Sequence, residues 1–136
     1  MRASECDILI LPGKGGGTPD HWYARWTAKL STAHRVEQRD FDRPVFAEWS
    51  ARIAEAAAKA QRPVVLVGHS MGAVAGLLCA PDLDNIAAAM FVAPASPRVL
   101  RTMDDVDPAF AAHAVRRLDF PALLVASRDD PYSTYE

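Results

Sequence analysis

The residues with the clearest chemical potential lie in Gly68-His69-Ser70-Met71-Gly72, which fits the pattern G-x-S-x-G. A serine hydroxyl is a weak nucleophile until it is presented to a substrate and a base takes its proton. Here the apolar run Pro63–Val67 leads into the pattern, and the small, apolar stretch Met71–Cys79 follows it. That is the context in which a strand turns sharply into a helix and holds a serine at the bend. Such a turn strains the serine and crowds the residues two before and two after it, where only glycine leaves room. The hydroxyl of Ser70 then stands clear of the sheet, and the N–H of Met71 points where an oxyanion would form. The plainer alternative is a serine that caps a helix after an ordinary strand. The agreement of strand, both glycines and helix favours the nucleophile.

A second oxyanion donor is available from Pro12-Gly13-Lys14-Gly15-Gly16-Gly17, through the N–H of Lys14 or a neighbour. The rival reading, a phosphate loop, fails on residues. A Walker A motif needs Ser or Thr directly after Gly-Lys, and Gly15 follows Lys14; the dinucleotide fingerprint needs glycine where Thr18 stands. An acid is offered by Ala122-Leu-Leu-Val-Ala-Ser-Arg-Asp-Asp-Pro131, where Asp130 sits just past a strand end. Open α/β sheets place their sites at those ends. A carboxylate there would orient an imidazole and stabilise its cation. Asp129 is the alternative acid, and a turn or capping aspartate is the structural reading of both.

The chain has four histidines, and all precede Asp130. His69 adjoins the serine, but the sharp turn sends its side chain away from the hydroxyl. His21 lies near the glycine loop and is placed to face the pocket, with Gly13 and His69 as further pocket residues. His113 lies in a loop-rich excursion near the rim of the site, and His34 at the opposite end of the sheet. Each is expected to be structural or solvated, with His21 and His113 the candidates for a substitute base.

These residues need a scaffold, and the patterning supplies one. Asp7–Leu11 is an apolar run ended by Pro12-Gly13 and reads as a buried strand. Thr18, Pro19 and Asp20 read as a helix start, with Trp22, Trp26 and Leu30 on one face. Arg35–Gln38 is a short strand. Phe46, Trp49, Ile53 and Ala57 mark one face of a second helix. Pro63–Val67, Ile86–Val92 and Ala122–Ala126 are further strands, and a short helix is expected near Pro108–Arg116. Strands alternating with helices mean a parallel sheet covered on both faces. The three tryptophans lie on apolar helix faces and are expected in the core rather than the pocket.

The totals set limits. With 136 residues, half of them apolar, the chain forms one domain. A net charge of −2 gives no electrostatic case for nucleic acid or an anionic membrane. Apolar runs are too short to span a bilayer, and the start MRASECDILI does not read as an export signal. Cys6 and Cys79 lack metal-ligand spacing, so they are read as free thiols in a reducing cytoplasm, and no metal is expected. The acidic stretch Met103–Pro108 is read as a solvated loop.

Four segments together, Ile8–Gly17, His21-Trp22 with Arg25-Trp26, Val64–Gly72 and Ser127–Pro131, resemble the small serine hydrolases of the retinoblastoma-binding protein nine/YdeN type, within the α/β-hydrolase superfamily. The resemblance runs from about Asp7 to the last residue. It implies a compact α/β-hydrolase fold with little or no lid, a Ser-Asp-His triad and no cofactor. The reaction expected of such a serine is attack on a small ester or amide carbonyl, with an acyl-enzyme on Ser70 that water then releases. Carried over by motif, Ser70 is the nucleophile and Asp130 the acid, in the chain order Ser then Asp, with His expected last. The family's histidine lies in a Gly-His segment after one further helix and strand. Here Pro131–Glu136 contains none. The expectation is therefore a single domain over residues 1–136 that is incomplete at its C-terminal side. A helix would begin near Ser133 or Thr134, and Ala122–Ala126 would be left as an exposed edge prone to self-association. The rival expectation is a non-catalytic interaction module on the same fold.

Overall fold

A computed structural model of the chain describes residues 1–133. The expected helix start at Thr134 lies outside them. Five parallel strands form one sheet: β1 (Asp7–Leu11), β2 (Ala33–Arg35), β3 (Val64–His69), β4 (Ile86–Val92) and β5 (Ala122–Val125). Their order across the sheet is β2-β1-β3-β4-β5. The helices are α1 (Trp22–Lys29), α2 (Phe46–Lys59), α3 (Met71–Cys79) and two single turns, α4 (Pro97–Leu100) and α5 (Ala109–Ala112).

The two faces follow from the period of two along each strand. Ile8 and Ile10 of β1 pack with Val67 of β3 and Tyr23 of α1 on one face. Leu9, Leu11 and Leu66 pack on the other with Trp49 and Ile53 of α2 and Val74 of α3. All of β1 is buried because it has helices on both sides. In α2 the residues Trp49, Ile53 and Ala57 are buried at a spacing of four, as expected. In α3 every residue but Leu77 is buried, which explains its small, apolar composition.

The order of elements agrees with the sequence reading, but several boundaries and faces differ. Helix α1 begins at Trp22 with His21 as its N-cap, not at Thr18. Residues 18–21 instead form a turn closed by the His21 N–H on the Thr18 carbonyl at 3.0 Å. The buried residue of α1 is Tyr23, whose hydroxyl packs against Gly17. With Tyr23 as the inward residue, Trp26 stands 38% exposed rather than in the core. Strand β2 lies at 33–35, two residues before the expected start, and α4 was not expected.

At the N-terminal end of the sheet, Asp7 is a carboxylate only 4% exposed. It accepts from the backbone N–H groups of Gln61 at 2.8 Å and Arg62 at 2.9 Å, and from the Arg62 guanidinium at 3.1 Å. Burial alone would raise its pKa; these donors outweigh burial and hold it below the usual carboxylate range. Asp7 thereby pins the α2–β3 connection to the start of β1.

Strand β5 differs from the rest. It is an edge strand with all four residues exposed, Leu123 at 57% and Leu124 at 63%. The register with β4 sets Leu123 beside Met90 and Leu124 beside Phe91, so apolar side chains stand uncovered on both of its faces.

Candidate active site

The C-terminal ends of β1, β3, β4 and β5 gather the candidate residues. Ser70 follows β3 with φ 50° and ψ −117°, a conformation that non-glycine residues rarely adopt. The bend is held by the core. The Ser70 N–H donates to the Val92 carbonyl at 2.9 Å, and its carbonyl accepts from Val74 at 3.1 Å. A Cβ at Gly68 would stand 2.7 Å from Ala73 Cα. One at Gly72 would run into the carbonyls of Leu11 and Pro12. Both glycines are therefore steric requirements of the turn. Ser70 occupies the N-cap position of α3, yet its hydroxyl makes no capping bond. The side chain instead lines a cavity of about 300 Å³ with Lys14, Gly15, Met71, Ala95, Met103 and Tyr132.

The glycine loop is braced from several directions. Gly15, Gly16 and Gly17 all have positive φ. Gly15 N–H donates to the Phe41 carbonyl at 2.9 Å, and the Arg35 guanidinium donates to the Gly16 carbonyl at 2.7 Å. The same guanidinium lies 5.0 Å from the centre of the Phe41 ring. Gly13 lies against the bend: a Cβ there would be 3.2 Å from Ser70 Cβ. Lys14 reaches away from the loop, and its Nζ pairs with Asp105 at 2.7 Å. Sequence reasoning missed Tyr23, Arg35, Phe41 and Asp105; their only advance signal was a type common enough to mean nothing without the fold. It also missed Ala93, a second residue at positive φ (47°), which bends the chain after β4 beside the site.

Asp130 is half-buried, and its Oδ1 accepts the Tyr132 N–H at 2.8 Å. Asp129 is exposed and accepts from the Ser127 hydroxyl. The acid-bearing segment is tied to the body by the Ser96 N–H on the Tyr132 carbonyl at 3.1 Å.

His69 and His21 are not among the residues lining the cavity. They pack on each other with ring centres 4.8 Å apart, and His21 stacks on Tyr23 at 3.8 Å. Burial lowers the pKa of both. For His69 the charge of His21 adds to that, and the carboxylate of Asp130 opposes it. His113 lies elsewhere: its Nδ1 is 2.6 Å from the Ala109 carbonyl, its ring packs on Phe46, and it lines a separate apolar cavity with Leu100 and Phe110. His34 is at the far end of the sheet, 3.6 Å from Asp7, as expected.

A larger cavity of about 450 Å³ opens at that far end beside Asp7, His34, Lys59 and Arg62. It lies at the N-terminal ends of the strands, and its one buried carboxylate is already saturated by Gln61 and Arg62. The cavity at Ser70 holds a strained, uncapped hydroxyl at the carboxyl ends, where open α/β sheets bind ligands. Among the described residues no group of three or more His, Cys, Asp or Glu is placed to hold a metal ion, and no helix is long and apolar enough to cross a membrane.

Comparison with known proteins agrees with this geometry. A family model described as serine hydrolase matches residues 8–136. Among solved structures, the chain is similar to a YdeN-like hydrolase from Pectobacterium atrosepticum, at 26% identity and a TM-score of 0.82, over 98% of this chain and 69% of that one. It also shares its fold with the ydeN gene product from B. subtilis, at 20% identity and a TM-score of 0.71, over 94% and 74% of the two chains. No curated protein sequence matches the chain.

Proposed function

We propose that this chain, which belongs to the serine hydrolase family, cleaves a small ester or amide through an acyl-enzyme on Ser70. The observation that carries the reading is the strained Ser70 hydroxyl facing a cavity while making no capping bond. Ser70 Oγ attacks the carbonyl carbon, and the carbonyl oxygen becomes an oxyanion received by the N–H groups of Met71 and Lys14. The alcohol or amine departs with a proton, and water releases the acid and restores Ser70. Asp130 is the triad acid, with no cofactor required. The base is the open position, since none of the four histidines lines the cavity. Lack of one triad member lowers the rate by about 10⁴- to 10⁶-fold.

Burial pushes the Cys79 thiol up to about 12 and also raises Cys6. Both cysteines are free and buried, and free thiols suit a reducing cytoplasm. The absence of a histidine from the cavity wall favours a second reading, a non-catalytic interaction module on a hydrolase fold.

Labelling with a fluorophosphonate probe separates the two. Modification of the chain that disappears in Ser70→Ala supports the hydrolase. Folded protein that takes up no label supports the interaction module.

A further inference from the structure

Among the described residues, the wall of the Ser70 cavity combines apolar side chains with the hydroxyls of Ser70 and Tyr132 and a single charged group. Met71, Ala95 and Met103 offer an acyl-sized surface, and of the seven lining residues only Lys14 carries a charge. Its ammonium is not buried by a core partner. It is held by Asp105 at 2.7 Å, with the lysine side chain 28% and the aspartate 44% exposed. Asp105 itself does not line the cavity. A half-exposed pair of this kind contributes little to stability and exchanges readily. An ammonium has three donors, so it can pass from one carboxylate to another or hold both.

We propose that the Ser70 cavity selects acyl groups bearing a carboxylate at the end remote from the scissile carbonyl, with Lys14 receiving that carboxylate and Asp105 occupying Lys14 in the empty site. The inference rests on the hydrolase reading above and names its substrate class: half-esters of short dicarboxylic acids, an apolar body between two carboxyl carbons. The apolar lining takes the methylenes, and the backbone N–H of Lys14 and its ammonium serve the two ends of one acyl group. Asp105 keeps the ammonium neutralised in the free protein, so substrate exchanges one carboxylate for another instead of desolvating a bare charge.

The test has two arms. In the first, glutarate and the neutral butanamide are titrated into the Ser70→Ala chain by NMR, which needs no catalysis. Glutarate binding is expected to weaken about tenfold with Lys14→Met and to tighten severalfold with Asp105→Asn, while butanamide is unchanged by Asp105→Asn. In the second, kcat/KM is compared for 4-nitrophenyl hydrogen glutarate and 4-nitrophenyl butyrate. Asp105→Asn is expected to raise the glutarate-to-butyrate ratio and Lys14→Met to lower it. Equal responses of the charged and neutral ligands to Asp105→Asn would overturn the proposal and mark the ion pair as a strap between the glycine loop and the excursion. Turnover without discrimination defeats only this inference. Discriminating binding in a folded chain whose Ser70 takes up no fluorophosphonate label defeats only the hydrolase reading.

Discussion

The two halves of the candidate site are built in opposite ways. The bend at Ser70 is fixed by the core: β3 pairs on both sides, α3 is buried nearly all round, and two glycines admit backbone where no Cβ fits. The acid-bearing segment after β5 hangs from an edge strand whose four residues are exposed, and Asp130 is held by a local bond to the Tyr132 N–H. A strained conformation persists only where its surroundings over-determine it. Ser70 meets that condition, whereas Asp130 is held by its own turn and by the single bond from Ser96 N–H to the Tyr132 carbonyl that ties the segment to the body.

The contrast can be broken from its rigid side. Gly72→Ala places a methyl against the carbonyls of Leu11 and Pro12, and backbone cannot swing away as a flexible side chain can. The expected loss is about 3 kcal/mol or more, or no folded protein, read by urea unfolding. A variant of near wild-type stability would show that the bend is soft.

The exposed side gives the next largest effect. At the two ends of β5 the carbonyls of Pro121 and Val125 accept from the N–H groups of Ala89 in β4 and of Ala93 just after it, so alternate backbone groups of the strand point outward. With Leu123 and Leu124 uncovered, a second copy is expected to pair along that edge. Sedimentation should show concentration-dependent association of the chain, weakened about tenfold or more by Leu124→Lys. A concentration-independent monomer would remove this expectation.

Acid is expected to act through His21 and His69. Both have folded pKa values below the ordinary 6.5, chiefly through burial. The unfolded chain therefore binds protons first, and the stability present above pH 6.5 declines as pH falls below it. The urea midpoint should drop between pH 7.5 and 5.5, and the drop should be smaller in His21→Phe. An unchanged slope in that variant would place the pH dependence elsewhere.

The smallest effect is expected at Asp130. Asp130→Asn should change stability by less than about 0.5 kcal/mol. It should also lower the His69 pKa further, because the carboxylate opposes the other two influences, and NMR titration of the ring reads this directly. A rise in the His69 pKa would mean that the acid faces a different group.

Much of this molecule was legible in its chain. Val64–Gly72 announces a strand, a bend and a helix through continuous apolarity and paired glycines, because these are constraints of sterics and period that act over a few residues. The same holds for α2, whose buried stripe repeats every four residues. The failures have one cause. Helix α1 was oriented by its tryptophans, but Tyr23 turns inward to meet Gly17, a contact no local pattern encodes. The stacking of His21 on His69, the brace from Arg35 to Gly16 and the pair between Lys14 and Asp105 join residues that are distant in sequence and are brought together only when the sheet closes. Local sterics and hydrophobic period thus settled the bend at Ser70 and the strands that carry it. The surroundings of that serine, including the charge at its cavity wall and the places of the four histidines, were set by long-range packing, where composition is silent and geometry decides.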